Sequence, residues 1–272
     1  MNESNIYMST AVESLKSISL QTGIIYGPVR SRRLGLSLGI NLLPEDYKLC
    51  SFNCVYCQYG WTAQPTLDAI PALKDLPRPI EVTDALEKAF KSIVRKRLKV
   101  DAITFSGNGE PTLHPDFAEI VEATRILRDR YLPQVKLAIL SNSSTVTRQE
   151  ICVALNRLDL RIMKLDAGSE EIIHQLNGPT PPFYLKDIIT GLRGLKDVIL
   201  QSLFVQGRIT NADPDSVALW IESVREIHPM LVQLYTLDRV PADRRIWKVN
   251  LPTLEWIASQ VRWRAGVKSE VY

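Results

Sequence analysis

The sequence predicts an α/β fold: a parallel sheet curled into an open, partial (β/α)6 TIM-like barrel. Three observations predict it. Short apolar runs alternate with amphipathic stretches six times between Leu36 and Trp263. Each strand–helix unit takes roughly thirty residues, the size of a βαβ crossover, which is right-handed in a parallel sheet. No linker interrupts the series. A closed barrel would need eight units, so six leave it open. We expect residues 1–22 to form an N-terminal arm and residues 23–272 one barrel domain.

Residues 1–20 are polar, with weak helical character around Ala11–Ser17. Gly23–Val29 is short, β-branched and bounded by Gly and Pro, which suits an edge strand. Arg30-Ser31-Arg32-Arg33-Leu34-Gly35 follows, and is read as a solvated turn or an anion-binding patch. Leu36–Leu43 is an apolar run closed by Pro44 and predicts the first barrel strand. Residues 62–80 contain Pro65, Pro71, Pro77 and Pro79, too many for an ordinary helix, and predict a covering loop and candidate lid. Thr83 is expected to cap a helix spanning Leu86–Leu98, whose basic end suits the helix dipole. The remaining strands are expected at Ala102–Ser106, Val135–Leu140, Leu160–Leu165, Val198–Val205 and Leu231–Leu237. Helices are expected from Pro115 to Arg130, Thr147 to Arg157, Ser169 to Leu176 and Tyr184 to Leu195. Two more run from Asp213 to Ile227, with Pro214 in the first turn, and from Thr253 to Trp263.

Composition sets the outer bounds. Apolar residues make up 45% and charged residues 23%, as in ordinary globular proteins. A net charge of +3 neither demands nor excludes nucleic acid. The start carries no signal-peptide pattern, and no apolar run approaches the ~20 residues that cross a bilayer. No membrane association and a cytoplasmic location are therefore expected.

The cysteines carry the chemistry. Three of the four, Cys50, Cys54 and Cys57, fall within eight residues, too crowded for a secreted disulfide framework. Closely spaced thiolates select zinc, copper(I) or an iron–sulfur cluster. Closed structural zinc takes four protein ligands, and this stretch offers three. A [4Fe–4S] cluster usually takes four cysteines, so three would leave one iron open. A zinc knuckle remains the competing reading at this point. Cys152, among apolar neighbours in a helix, is expected to be a small core residue.

Parallel barrels gather their chemistry at the carboxyl ends of the strands. There the sequence places Ser106-Gly107-Asn108-Gly109-Glu110-Pro111, a glycine turn presenting a carboxylate. It also places Ser141-Asn142-Ser143-Ser144 and Lys164-Leu165-Asp166-Ala167-Gly168 there. Alternation puts Lys164 and Asp166 on one side of their strand. Tyr235, Thr236, Asp238 and Arg239 come last, where substrate is expected. His174 and His228 are read as surface residues, His114 as a cap or lining residue, and Trp220, Trp256 and Trp263 as helix packing.

The C-x3-C-x2-C spacing with Tyr56 before the last cysteine resembles the radical S-adenosylmethionine (SAM) superfamily. The resemblance implies a [4Fe–4S] cluster on Cys50, Cys54 and Cys57, with SAM chelated at the open iron. It implies further that Tyr56 lies near the adenine. Gly107, Gly109 and Glu110 resemble the superfamily's Gly-Gly-Glu-Pro motif, which binds the SAM amino group; Asn108 replaces a glycine of that motif. Asn142 and Asp166 are then expected to hold the ribose and carboxylate. The stretches Gly27–Gly35, Ile162–Gly168 with Leu176-Asn177-Gly178-Pro179, and Leu234–Arg239 look like a branch related to the tRNA wyosine-base (4-demethylwyosine) synthases. The resemblance implies reductive cleavage of SAM to a 5′-deoxyadenosyl radical that abstracts hydrogen from a substrate. It also implies an electron donor such as flavodoxin or ferredoxin. A tRNA base is a candidate substrate. A radical activase of a partner protein and a non-catalytic redox sensor are the alternatives.

Overall fold

The computed structural model describes residues 18–272, so the helical character expected around Ala11–Ser17 lies outside the described residues. The chain enters as an antiparallel hairpin of β1 (Ile25–Ser31) and β2 (Gly35–Ile40). From β2 onward it alternates as expected. β3 (Ala102–Phe105), β4 (Lys136–Ser141), β5 (Leu160–Lys164), β6 (Val198–Leu203) and β8 (Leu231–Tyr235) continue one parallel sheet. The six expected barrel strands are all present. A seventh parallel strand, β10 (Ser269–Val271), adds to β8, so the sheet order is β1-β2-β3-β4-β5-β6-β8-β10.

The helices are α1 (Pro79–Lys96), α2 (Phe117–Tyr131), α3 (Gln149–Leu155), α4 (Glu170–Asn177), α5 (Leu185–Arg193), α6 (Pro214–Ile227) and α7 (Leu251–Gln260). Local chemistry explains most starts. Asp213 accepts from the Ser216 N–H and Ser169 from the Ile172 N–H, each meeting a donor that the first turn leaves unpaired. Asn250 does the same for Thr253 at α7.

Four expectations need correction. The first helix begins four residues before Thr83, because Pro79 occupies the first turn and Glu81 reaches back to the Arg78 N–H at 2.8 Å. Thr83 instead bonds the Pro79 carbonyl from inside the helix. The run Val198–Val205 is two strands. After Leu203 the chain leaves the main sheet, and β7 (Val205–Gly207) pairs with β9 (Ile246–Lys248) in a separate ribbon. The 62–80 segment does contain a turn of 3-10 helix, Ile70–Asp75, and it is tied down rather than lid-like. Ala69, Ala72 and Leu76 pack on Leu43, Leu49 and Leu113, and the Thr66 N–H donates to the Cys50 carbonyl at 3.0 Å. Trp263 is 80% exposed and Trp256 38%, so only Trp220 packs in the core.

Alternation along the strands sorts the two faces of the sheet. One face sends Leu38, Ile40, Ile103, Leu137, Ile139, Met163, Leu200, Val232 and Leu234 into the large apolar core shared with the helices. The other face is mixed, with Ile162, Ile199 and Leu203 standing among hydrogen-bonding side chains. Ser37 bonds Thr104 at 2.6 Å and Gln201 bonds Gln233 at 3.2 Å across neighbouring strands. The hydrogen-bonding side chains give an otherwise apolar interior a few polar positions that can orient a ligand.

Among the described residues the sheet does not close through its backbone. Its first and last strands approach through side chains instead. Arg33, at the β1–β2 turn, lies over the rings of Tyr235 and Tyr272, with 4.6 Å and 5.4 Å to the centroids. Beside it Arg32 pairs with Asp238 at 3.2 Å.

Trp220 holds α6 to the sheet. It is fully buried, its Nε1–H donates to the Leu165 carbonyl at 3.0 Å, and its ring meets Phe204 edge-on. Trp220→Ala should cost about 3–5 kcal/mol of unfolding free energy; a urea titration showing less than about 1 kcal/mol would contradict this account of the core.

Candidate metal and cofactor site

The cysteine loop follows the carboxyl end of β2 and is suspended between the turn after β3 and the end of α4. On one side it is fastened to the glycine turn after β3. The Leu49 N–H donates to the Asn108 carbonyl at 3.0 Å, and the Glu110 N–H to the Leu49 carbonyl at 3.1 Å, a one-residue parallel bridge centred on Gly109. Gly109 has φ +148°, and a Cβ there would stand 1.7 Å from the Leu49 carbonyl oxygen. Gly107 has φ +144°, and a Cβ there would meet the Asn41 amide oxygen at 2.4 Å. Only glycine fits either place. The close approach that these glycines permit is to the cysteine loop and to Asn41.

Asn108, where the resembling motif has glycine, is fully buried. Its amide donates to the Gln21 and Pro44 carbonyls and accepts from the Gln21 N–H at 2.7 Å. The side chain thus pins the entering chain and the exit of β2 to the turn.

On its other side the loop hangs from the end of α4. The Asn53 and Val55 N–H groups donate to the Asn177 and Leu176 carbonyls, and the Thr180 N–H to the Ser51 carbonyl. These bonds explain why Leu176-Asn177-Gly178-Pro179 stands out in the sequence.

Cys50 and Cys54 are buried and Cys57 half-buried, and none forms a disulfide. Burial pushes the Cys50 thiol up to about 12 and the Cys54 thiol up to about 11. N–H groups already face the sulfurs. Cys50 Sγ has the Phe52 N–H at 3.5 Å and the Asn142 amide at 3.6 Å; Cys54 Sγ has the Asn177 amide at 3.5 Å. The donor set fits a metal centre of soft ligands, because metal coordination ionises a thiol outright and N–H dipoles then stabilise the added charge. Among the described residues no three His, Cys, Asp or Glu side chains converge on one point for a single ion.

Glu110 is 1% exposed. It accepts from the Thr112 N–H and hydroxyl, from the Ser141 hydroxyl, and from the Asn142 N–H at 2.6 Å. Burial raises its pKa, and these bonds oppose the rise. Glu110 therefore bridges the ends of β3 and β4 and fixes Asn142. Asn142 in turn donates to Ser51 at 2.9 Å within the cysteine loop. Ser143, at φ +71°, holds the strained turn that aims Asn142.

Asp166 is likewise enclosed, at 2% exposure. It accepts from the Leu203 N–H at 2.8 Å, from the Asn177 amide at 2.8 Å and from the Tyr56 hydroxyl. Lys164 lies 3.5 Å from its other oxygen. Burial and then Asp166 hold the Tyr56 phenol well above its ordinary range. Burial alone would lower Lys164, but Asp166 and Tyr235 outweigh it and keep the ammonium charged. The structure thus brings Tyr56, Asn142, Asp166 and the cysteines into one region. The two carboxylates reach it through the groups they orient.

The sequence alone misses Asn177 and assigns no contact to Lys164 or Arg33. Asn177 touches Cys54, Tyr56 and Asp166 together, and its only signal was its place in the Leu-Asn-Gly-Pro run. Lys164 was paired with Asp166 by alternation, but its bond to the Tyr235 hydroxyl at 2.5 Å is a tertiary fact. Arg33 was left between two readings. His114 caps the turn that follows Glu110, accepting from the Asp116 N–H, and is no part of the site. His174 and His228 are exposed as expected. Cys152 is partly buried, and its S–H donates to the Val146 carbonyl at 3.0 Å, which suits a packing role.

Residues 45–221 match the radical SAM superfamily. A UPF0026 protein from Methanocaldococcus jannaschii is 32% identical over 226 residues, which are 82% of this chain and 66% of that protein. The chain thus spans about two-thirds of the length of that relative. A radical SAM methyltransferase from Sphaerobacter thermophilus shares the fold with TM-score 0.62 at 14% identity, over 87% of this chain and 65% of the other. The TYW1 structure with a lysine–pyruvate adduct bound shares it with TM-score 0.59 at 14% identity, over 85% and 74%. No helix of the described residues is long and apolar enough to cross a membrane.

Gly109→Ala tests the clamp between turn and loop. The added methyl must push the Leu49 backbone away, at about 1–3 kcal/mol for the strained φ alone. We expect a lower melting temperature and faster reaction of Cys50 and Cys54 with a thiol reagent; unchanged thiol reactivity would show that the clamp does not position the loop.

Proposed function

The chain belongs to the radical SAM superfamily, and on that premise we propose that it is an enzyme using SAM and a [4Fe–4S] cluster held by Cys50, Cys54 and Cys57. When bound, the pair supplies a 5′-deoxyadenosyl radical that takes hydrogen from a substrate. The observation that carries this reading is the suspended cysteine loop: three uncommitted thiols fixed between a glycine–carboxylate turn and the end of α4, with amide donors already facing two sulfurs.

The chain's own residues would then act as follows. Asn142 and Asn177 stabilise charge on the Cys50 and Cys54 sulfurs, and hydrogen bonds of this kind set a cluster's potential. Glu110 holds Asn142, and Gly107 and Gly109 let the turn lie against the loop. We assign this turn, with Asn142, Tyr56 and Asp166, to the SAM site. Glu110 and Asp166 serve there by positioning neighbours, since both are already enclosed by protein donors. We assign the inner face of the sheet, around Gln201 and Gln233, to the substrate. Within this chain the fourth cysteine, Cys152, stands apart in α3. The reading carries with it a reductant of the flavodoxin or ferredoxin type as electron donor. The likeness to the wyosine-base branch makes an RNA base the first substrate to try, ahead of a partner protein.

Anaerobic reconstitution tests the reading. The unmodified chain should bind about four irons and release 5′-deoxyadenosine on addition of dithionite and SAM. Alanine at Cys50, Cys54 or Cys57 should abolish both, while Cys152→Ala should leave the iron content unchanged. Zinc uptake in place of iron would sink the proposal.

Asn177→Leu removes the amide that faces Cys54 Sγ. The reduction potential of the reconstituted protein should fall, as read by redox titration. An unchanged potential would mean that this amide serves only Tyr56 and Asp166.

A further inference from the structure

Two cations rest against one aromatic ring inside the barrel. The Arg33 guanidinium carbon lies 4.6 Å, and the Lys164 ammonium 4.8 Å, from the centroid of Tyr235. Their circumstances differ. Lys164 has Asp166 at 3.5 Å and the Tyr235 hydroxyl at 2.5 Å. Arg33 is half-buried, and among the described residues its guanidinium has no carboxylate partner and no hydrogen-bond acceptor. Its Nη1 is fully enclosed with no partner. Among the described residues only the rings of Tyr235 and Tyr272 hold it.

An arginine fork that is largely removed from water without an acceptor is costly, and stacking on rings offsets only part of that cost. The neighbouring arginine shows the ordinary solution, since Arg32 pairs with Asp238. Arg33 has no such relief. Asp166 cannot supply it, being surrounded by Leu203, Asn177, Tyr56 and Lys164. Asp166 is taken by Lys164 and Asp238 by Arg32, so what Arg33 lacks is an acceptor with negative charge. Tyr235 ends β8 and Lys164 ends β5, so the pair sits at the carboxyl ends of the strands, where ligands bind in this architecture.

We propose that Arg33 and Lys164 form an oxyanion-binding site that receives a carboxylate or phosphate of the substrate. Nη1 is enclosed, so the anion meets the Nε–Nη2 edge of the Arg33 fork, and Lys164 adds a point charge. Tyr235 and Tyr272 hold the fork in place before the anion arrives. The site rests on the radical SAM reading only in naming the anion's owner as the substrate of that reaction.

The test uses the reconstituted full-length chain with SAM present, titrated calorimetrically with inorganic phosphate and separately with succinate, at constant ionic strength. Saturable binding of at least one probe is expected, and the probe that binds tells phosphate from carboxylate. Arg33→Gln and Lys164→Gln should each weaken it roughly tenfold or more, the effect of losing a charge-assisted bond. Arg30→Gln, in the same hairpin, should not. If Arg33→Gln does not fold, Arg33→Lys carries the test: it keeps the charge, loses the fork, and should bind several-fold more weakly. Failure of both probes to saturate, or an Arg33 variant that binds like the unmodified chain, would overturn the site and leave Arg33 a packing element. Deoxyadenosine formation by the unmodified chain is scored separately. Anion binding without it would overturn the radical SAM reading and keep the site, whereas deoxyadenosine without anion binding would do the reverse.

Discussion

The bond between the Leu49 backbone and the turn at Gly109 is the constraint on which the rest of the site depends. A loop that carries three thiols has no regular structure of its own to fix it. It must borrow rigidity from the sheet, and it does so by extending the parallel pairing of β2 and β3 by one more bridge beyond the strands. The bridge forms only if the turn presents bare backbone, which is why glycine at 109 is a steric requirement of this fold as well as a feature of the motif. Asn108 then ties Gln21 and Pro44 to the same turn, so entry, strand exit and cysteine loop share one fixed point.

From that point order spreads through buried carboxylates. Glu110 joins the ends of β3 and β4, and Asp166 joins the ends of β5 and β6 to Tyr56 in the cysteine loop. Each sits in a low-dielectric place and accepts several N–H or O–H donors there, which is the condition under which a buried carboxylate is tolerated. Neighbouring strand ends in a parallel sheet have no backbone bonds left to make with one another. Side-chain carboxylates supply that connection, and so turn separate loops into one wall. Asn177 extends the wall to the thiols.

The open side of the barrel is handled differently. Backbone pairing stops at β1 and β10, and the gap is crossed by arginine side chains from the β1–β2 turn. Charged and aromatic groups can close such a seam without excluding a ligand, because they remain able to exchange partners. The same seam therefore supplies both closure and the proposed recognition of an anionic substrate.

The sequence by itself determined the repeating pattern. Apolar runs every thirty residues or so dictate parallel strands and crossover helices, and the spacing of Cys50, Cys54 and Cys57 with the Gly-Glu-Pro turn marks the loops to which we assign the chemistry. These are local facts of periodicity and ligand type, so they can be read without knowing the fold. Helix starts were legible where a capping residue announced them, as at Asp213, and misplaced at Thr83, where Pro79 and Glu81 set the start instead. Only the tertiary structure decided what each group faces. That Glu110 and Asp166 turn toward protein donors, that Asn177 meets Cys54 across 123 positions of chain, and that Arg33 reaches Tyr235 and Tyr272 at the far edge of the sheet all depend on its curvature. Curvature is set by the packing of every strand and helix at once, and no short stretch of sequence records it.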